Sequence, residues 1–187
     1  MLEIYRHYVL NTVITFDYEV PTLAEFENKI AGIQENHPCL VLLENDTVIG
    51  YAYGNEFRHK AAYQWGVEST IYLGKDVTGK GLGKVLYTTL FELLAEQGFY
   101  KAYAGVTLPN VKSEKVHLGC GFDELMVYKE VGYKAGAWHD TVWYEKALAP
   151  LSAEPQPPKR LASVETAFRS ILDRVNRDLA AREVTNQ

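Results

Sequence analysis

Cysteine is scarce in this chain: Cys39 and Cys120 are the only two among 187 residues, too few for a disulfide framework. No apolar run reaches membrane length, and the N-terminus lacks the pattern of a secretory leader. A reducing, cytoplasmic setting fits these absences, with no membrane partner. Blocks of Lys and Arg are missing as well. The formal net charge of −5 argues against a nucleic-acid surface or an acidic bilayer, so the expected partner is a small molecule. No internal repeat is evident, and no metal site is expected. What is present is a chain 47% hydrophobic and 23% charged, enough for one full core with length left for an appendage. Thirteen tyrosines and three tryptophans suit a lined pocket or an aromatic core.

The apolar periodicity predicts alternating helices and strands. Ile4 to Leu10 reads as a short helix, and Leu23, Phe26, Ile30 and Ile33 repeat at helical spacing behind Thr22, a cap for a helix reaching about Glu35. Leu40–Glu44 and Val48–Phe57 flank Asn45-Asp46 as a hairpin, and a third strand runs from Tyr63 to Leu73. Leu82 to Leu94 forms an amphipathic helix that Gly98 ends in the left-handed conformation. Tyr100–Val106 is a strand, Lys112–Leu118 a short helix, and Phe122–Glu130 with Thr141–Leu148 close the sheet. The predicted fold class is α/β, more finely α+β, with a mixed, mainly antiparallel sheet flanked by helices. Residues 1–149 form this domain, 150–160 a stiff Pro-rich linker, and 161–187 a C-terminal amphipathic helix. Its apolar seam, Leu161, Val164, Phe168, Ile171, Val175 and Leu179, packs either on its own domain or on another subunit as a homodimer.

The segment richest in information joins the third strand to the helix after it: Thr78-Gly79-Lys80-Gly81-Leu82-Gly83-Lys84. Three closely spaced glycines let backbone N–H groups converge, and the helix start adds its positive dipole end, an arrangement for a pyrophosphate. A nucleoside-triphosphate loop is excluded, because Thr78 stands where its first Gly belongs and Val85 where its hydroxyl residue belongs. The dinucleotide fingerprint fails too, since Lys84 and Leu86 occupy its third-glycine offsets. What remains resembles the acyl-CoA loop of the GNAT superfamily of N-acetyltransferases, Gln/Arg-x-x-Gly-x-Gly/Ala, with Thr78 replacing the first residue.

From Tyr5 to about Leu148 the chain resembles the phosphinothricin and methionine-sulfoximine acetyltransferase branch of that superfamily. Asn11-Thr12 with Thr15-Phe16, Ala62-Tyr63 before Val67-Glu68, Leu108-Pro109-Asn110 with Ser113 and His117, Gly121-Phe122, and Val131-Gly132-Tyr133-Lys134 before Trp138-His139-Asp140 carry the resemblance in order. It implies a GNAT fold whose usual first strand is absent or altered here, leaving the neighbouring strand at an edge.

The resemblance also implies acetyl transfer from acetyl-CoA to a primary amine. An α-amino group has a pKa of about 7.7–8.0, so a modest base suffices. Glu68 matches the family's catalytic glutamate, and it lies about 17 Å along the strand from Leu73, the reach of an extended pantetheine arm. His139 is a second catalytic candidate, orienting Glu68 or sharing its proton. His117 stands where many GNAT enzymes keep a tyrosine that protonates the leaving thiolate. The backbone of Ile71, Tyr72 and Leu73 is expected to pair with pantetheine amides, Thr78, Gly79, Lys80, Gly81, Leu82, Gly83 and Lys84 to hold the pyrophosphate, and Asn110 with Ser113 to assist. Arg58 and Lys60 are placed to take an acceptor carboxylate, with Phe16, Phe57 and Tyr63 as pocket walls. Acceptors of another class, an antibiotic amine, a polyamine or a protein N-terminus, stay open, as does a non-catalytic acyl-CoA-binding module.

Overall fold

The computed structural model describes residues 1–77 and 81–185. Six strands form one sheet in the order β1-β2-β3-β4-β6-β5. These are β1 (Cys39–Glu44), β2 (Thr47–Glu56), β3 (Gly66–Leu73), β4 (Lys101–Thr107), β5 (Asp123–Lys134) and β6 (Ala137–Ala147). All neighbours run antiparallel except β3 and β4. Helices α1 (Leu2–Asn11) and α2 (Leu23–Gln34) cover one face, α3 (Leu82–Gln97) and α4 (Val111–Gly119) the other.

Local chemistry accounts for most boundaries. Thr22 and Glu25 form a reciprocal capping box that starts α2. Asn45 and Asp46 both take positive φ, which matches the twist of a two-residue hairpin turn between β1 and β2. Gly98 ends α3 at a φ of 101°, where a side chain would be strained. In β3, Val67 packs among Leu86, Leu90 and Leu94 of α3, whereas Tyr72 packs with Tyr5 of α1 and Tyr51. Strand alternation therefore sends Val67, Ser69 and Ile71 to the α3/α4 side and Glu68, Thr70 and Tyr72 to the α1/α2 side. Leu90, Leu93 and Leu94 are fully buried, each contributing roughly 1.5–3 kcal/mol of apolar burial.

Among the described residues no strand precedes α1, so β1 is an edge, roughened by a bulge between Leu42 and Leu43. Three elements differ from the sequence reading. β3 starts at Gly66 rather than Tyr63, because Ala61–Tyr63 coils into a 3₁₀ turn whose Tyr63 N–H bonds Lys60 O at 2.8 Å. β5 and β6 extend far beyond the predicted pair and meet at Ala135-Gly136, both with positive φ. Alanine is a rare residue for such a turn, which hid the hairpin.

Helix α5 (Leu161–Thr185) lies on α3 of its own domain. Val164 is buried, Arg174 pairs with Glu92, and the linker is pinned where Trp65 Nε1 donates to Gln156 O at 2.8 Å. Part of the apolar seam thus packs on α3 of the same chain.

Candidate active site

Strands β3 and β4 pair only at Gly66–Lys101, Val67–Ala102 and Glu68–Tyr103, and then part. Beyond that point β3 continues through Leu73 and β4 through Thr107, so two strand edges face each other across a wedge. A cavity of about 480 Å³ occupies it. Unmated strand edges suit a ligand that carries amides of its own.

At the vertex of the wedge, Ser69 Oγ reaches the carbonyl of Tyr103 at 3.1 Å and Tyr87 Oη at 2.8 Å. Tyr87 Oη lies 3.2 Å from Nε2 of His117, whose Nδ1 lies 2.8 Å from the Ser113 carbonyl. Nδ1 therefore carries the proton, Nε2 accepts from Tyr87, and the single Ser69 hydroxyl proton is shared between the Tyr103 carbonyl and Tyr87 Oη. Burial lowers the His117 pKa, opposed by the Ser113 bond, and so favours the neutral ring. Burial likewise raises the Tyr87 hydroxyl well above its ordinary range. This hydrogen-bonded chain lines the cavity from the α3/α4 side.

Glu68 enters the same cavity from the opposite face. Burial raises its carboxyl pKa, and the Arg58 cation pulls against that rise. A half-buried carboxylate made more basic by its surroundings is suited to accept a proton from an amine. The wedge thus brings together a base from one face of the sheet and a tyrosine–histidine chain from the other.

The outer end of the wedge approaches the start of α3. Gly81 holds a left-handed φ of 71° as its N-cap and has no side chain of its own with which to cap the helix. A Cβ on Gly83 would stand 2.9 Å from Leu73 Cδ1, so that glycine lets the helix start close on β3. The N–H groups of Leu82 and Gly83 are among the first-turn donors of the helix, beside the exposed Lys84, as an anion site requires. Thr78, Gly79 and Lys80, the rest of the expected cradle, lie outside the described residues.

The remaining expected residues are distributed as follows. Ile71, Tyr72, Asn110 and Ser113 line the wedge; Asn110 also caps α4, accepting from Ser113 N at 3.2 Å. The Leu73 carbonyl is engaged by Tyr8 Oη at 2.7 Å. Phe16 lines the cavity from the loop after α1. Phe57 stacks on Tyr103 with centroids 4.0 Å apart, and Arg58 lies 4.3 Å over the Phe57 ring and 5.9 Å from that of Trp143, a cavity residue. Lys60 and Tyr63 line a separate groove of about 450 Å³, together with Arg58. His139 is not among the cavity-lining residues; its Nε2 lies 2.9 Å from the Lys134 carbonyl and its ring tilts over Phe16.

Comparison with known proteins is decisive for the family. The model of the acetyltransferase (GNAT) domain matches residues 1–143. The chain belongs to the GNAT family of acetyltransferases. A phosphinothricin N-acetyltransferase of Streptomyces coelicolor is 37% identical over 152 residues, 79% of this chain and 89% of that one. An L-methionine sulfoximine/L-methionine sulfone acetyltransferase of Salmonella typhimurium is 31% identical, covering 78% of this chain and 86% of its own length. The solved structure of a phosphinothricin acetyltransferase from Sinorhizobium meliloti in complex with AcCoA superposes with a TM-score of 0.80 at 35% identity, over 83% of this chain and 85% of that chain. This GNAT protein is an acetyl-CoA-dependent N-acetyltransferase.

Tyr87, Ser69, Ile14, Thr15, Trp143 and Lys134 carry no site role in the sequence, although Thr15 and Lys134 stand in segments that resemble the family. Tyr87 sits within an apolar helical run, and only its buried, polar-facing position distinguishes it from core. Gly81 offers a direct test of the helix-start site. Among the described residues nothing lies within 4 Å of a Cβ placed there, and Gly81→Ala adds backbone strain of roughly 1–2 kcal/mol. Calorimetry is expected to show about a five- to thirtyfold weaker dissociation constant for coenzyme A.

Proposed function

We propose that this enzyme transfers the acetyl group of acetyl-CoA to the α-amine of a small amino acid or analogue of the phosphinothricin or methionine-sulfoximine type. The observation that carries this reading is the parted β3–β4 pair, with Glu68 entering from one face and the Ser69–Tyr87–His117 chain from the other. The named relatives act on acceptors of this class.

In this reading the pyrophosphate rests at the start of α3, and pantetheine runs along Ile71, Tyr72, Leu73, Asn110 and Ser113 toward the vertex. The amine approaches from the Phe16 side. Glu68 takes its proton, directly or through water, as nitrogen attacks the thioester carbon. Collapse of the tetrahedral adduct breaks the C–S bond and leaves the electron pair on sulfur. A thiol with a pKa near that of cysteine, about 8.5, is readily protonated at pH 7. His117 and Tyr87 therefore serve chiefly to hold the sulfur end, and a dedicated acid adds little. Arg58 anchors the acceptor carboxylate from the junction between wedge and outer groove, with Lys60 adding positive field and Phe57 and Tyr63 walling the approach. His139 acts by holding Phe16 in place.

Release of free coenzyme A, followed across a panel of amino acids, sulfoximines, polyamines and aminoglycosides, tests the acceptor class. Turnover confined to amino-acid-like amines is expected; preference for polycations, or silence with every amine despite normal coenzyme A binding, would overturn it. Glu68→Gln is expected to lower kcat by about 10²–10⁴. The pH profile provides a separate check. Protonated Glu68 cannot act as base, so kcat/KM falls as pH drops through its raised pKa. Removing the opposing cation in Arg58→Gln raises that pKa further, and the acid limb is expected to move to higher pH; an unmoved limb would exclude Glu68 as the titrating base.

The same reading includes a cytoplasmic homodimer. Both cysteines are free thiols, which supports a reducing setting that cell fractionation would test. The long β5–β6 hairpin exposes Leu125, Met126, Val131, Tyr133 and Trp138, a supply of apolar surface suited to a second copy. Light scattering is expected to give twice the 21.1 kDa chain mass, and Trp138→Glu to shift it toward one.

A further inference from the structure

Lys134 is a lysine with only 7% of its surface exposed. Lysines are almost never so buried without partners. Its Nζ donates to the Val9 carbonyl at 2.9 Å and to the Thr15 carbonyl at 2.7 Å. Val9 belongs to the last turn of α1, where carbonyls lack helical donors and the dipole favours a cation. Thr15 lies in the loop that supplies Ile14, Thr15 and Phe16 to the wedge. One ammonium thus ties a helix end and a cavity wall to the tip of the β5–β6 hairpin.

Three further contacts act on the same loop. Tyr18 Oη donates to the Tyr133 carbonyl, the residue before the lysine. His139 and Gly132 are cross-strand partners, and the Phe16 ring lies over both. A Cβ on Gly132 would stand 2.2 Å from the Phe16 ring, so this seat exists only because the residue is glycine. Neither a core position nor a tight turn accounts for that glycine, since it lies within a strand and takes no positive φ. It is a close-approach position for one aromatic side chain.

We infer that Lys134 and Gly132 are specificity-determining positioning residues: the lysine fixes the Ile14–Phe16 wall by its carbonyls, and the glycine sets how far Phe16 withdraws from the acceptor space. The acceptor side of the cavity is thereby built by a hairpin that itself contributes no group to the chemistry. The inference rests on the proposed acceptor reading for its effect on specificity, while the tether itself is independent of any substrate.

Lys134→Met keeps the apolar stem and removes the ammonium. Amide hydrogen exchange of residues 9–18 is expected to accelerate, with β3 and β4 unchanged. The acceptor KM is expected to rise roughly ten- to a hundredfold, the scale of lost charge-assisted hydrogen bonds, while the acetyl-CoA dissociation constant stays within about twofold. Should that variant fold poorly, Gly132→Ala tests the same wall. It is expected to alter relative kcat/KM across acceptors of increasing side-chain length, and the shift is expected to vanish in the Gly132→Ala/Phe16→Ala pair when measured against Phe16→Ala. Unchanged exchange in residues 9–18, parallel loss of acceptor and acetyl-CoA affinity, or strictly additive effects at 132 and 16 would each overturn the inference. A wild-type protein that acetylates no amino acid would instead remove the acceptor reading, with the exchange measurement still deciding the tether.

Discussion

The loss of pairing between β3 and β4 after Glu68–Tyr103 is the constraint on which the site depends. A continuous ladder would have closed the sheet and kept its two faces apart. Instead, Ser69 takes the Tyr103 carbonyl with its side chain just past the last pair, and both strands remain anchored to outer neighbours, β3 to β2 and β4 to β6. Each strand keeps a full ladder on one side and offers an open edge on the other. The outer pairing already orders the backbone of that edge, which lowers the entropy cost of pairing a ligand to it.

Strand alternation then divides the labour. Glu68 and Ser69 are chain neighbours, yet they project to opposite faces and reach one cavity only through the wedge. Burial makes the carboxylate more basic, and on the chain through Tyr87 to His117 it favours the neutral forms. The buried α3 that supports Tyr87 is in turn backed by α5, so the tail contributes to the site at one remove.

Much of this was legible in the chain because local rules govern it. The glycine spacing excluded two other phosphate loops, and Gly81 and Gly83 prove to be needed for different reasons, backbone handedness and close packing. The position of Glu68 at the cavity was legible from its place in a strand leading to that loop. Tyr87 was not, because a helical residue's partner is decided by which strand it faces. Lys134 was hidden for a similar reason: its acceptors lie 119 and 125 residues away. The basic pair at 58 and 60 was legible as charge but not as position, since the 3₁₀ turn at Ala61–Tyr63 directs Lys60 and Tyr63 to an outer groove.

The most direct measurement is a crystal structure with coenzyme A bound. Pyrophosphate oxygens are expected on the N–H groups at the start of α3, pantetheine between the open edges of β3 and β4, and sulfur at the vertex, between Glu68 and Tyr87. Coenzyme A bound outside the wedge, or a sulfur remote from the Glu68 carboxylate, would contradict it.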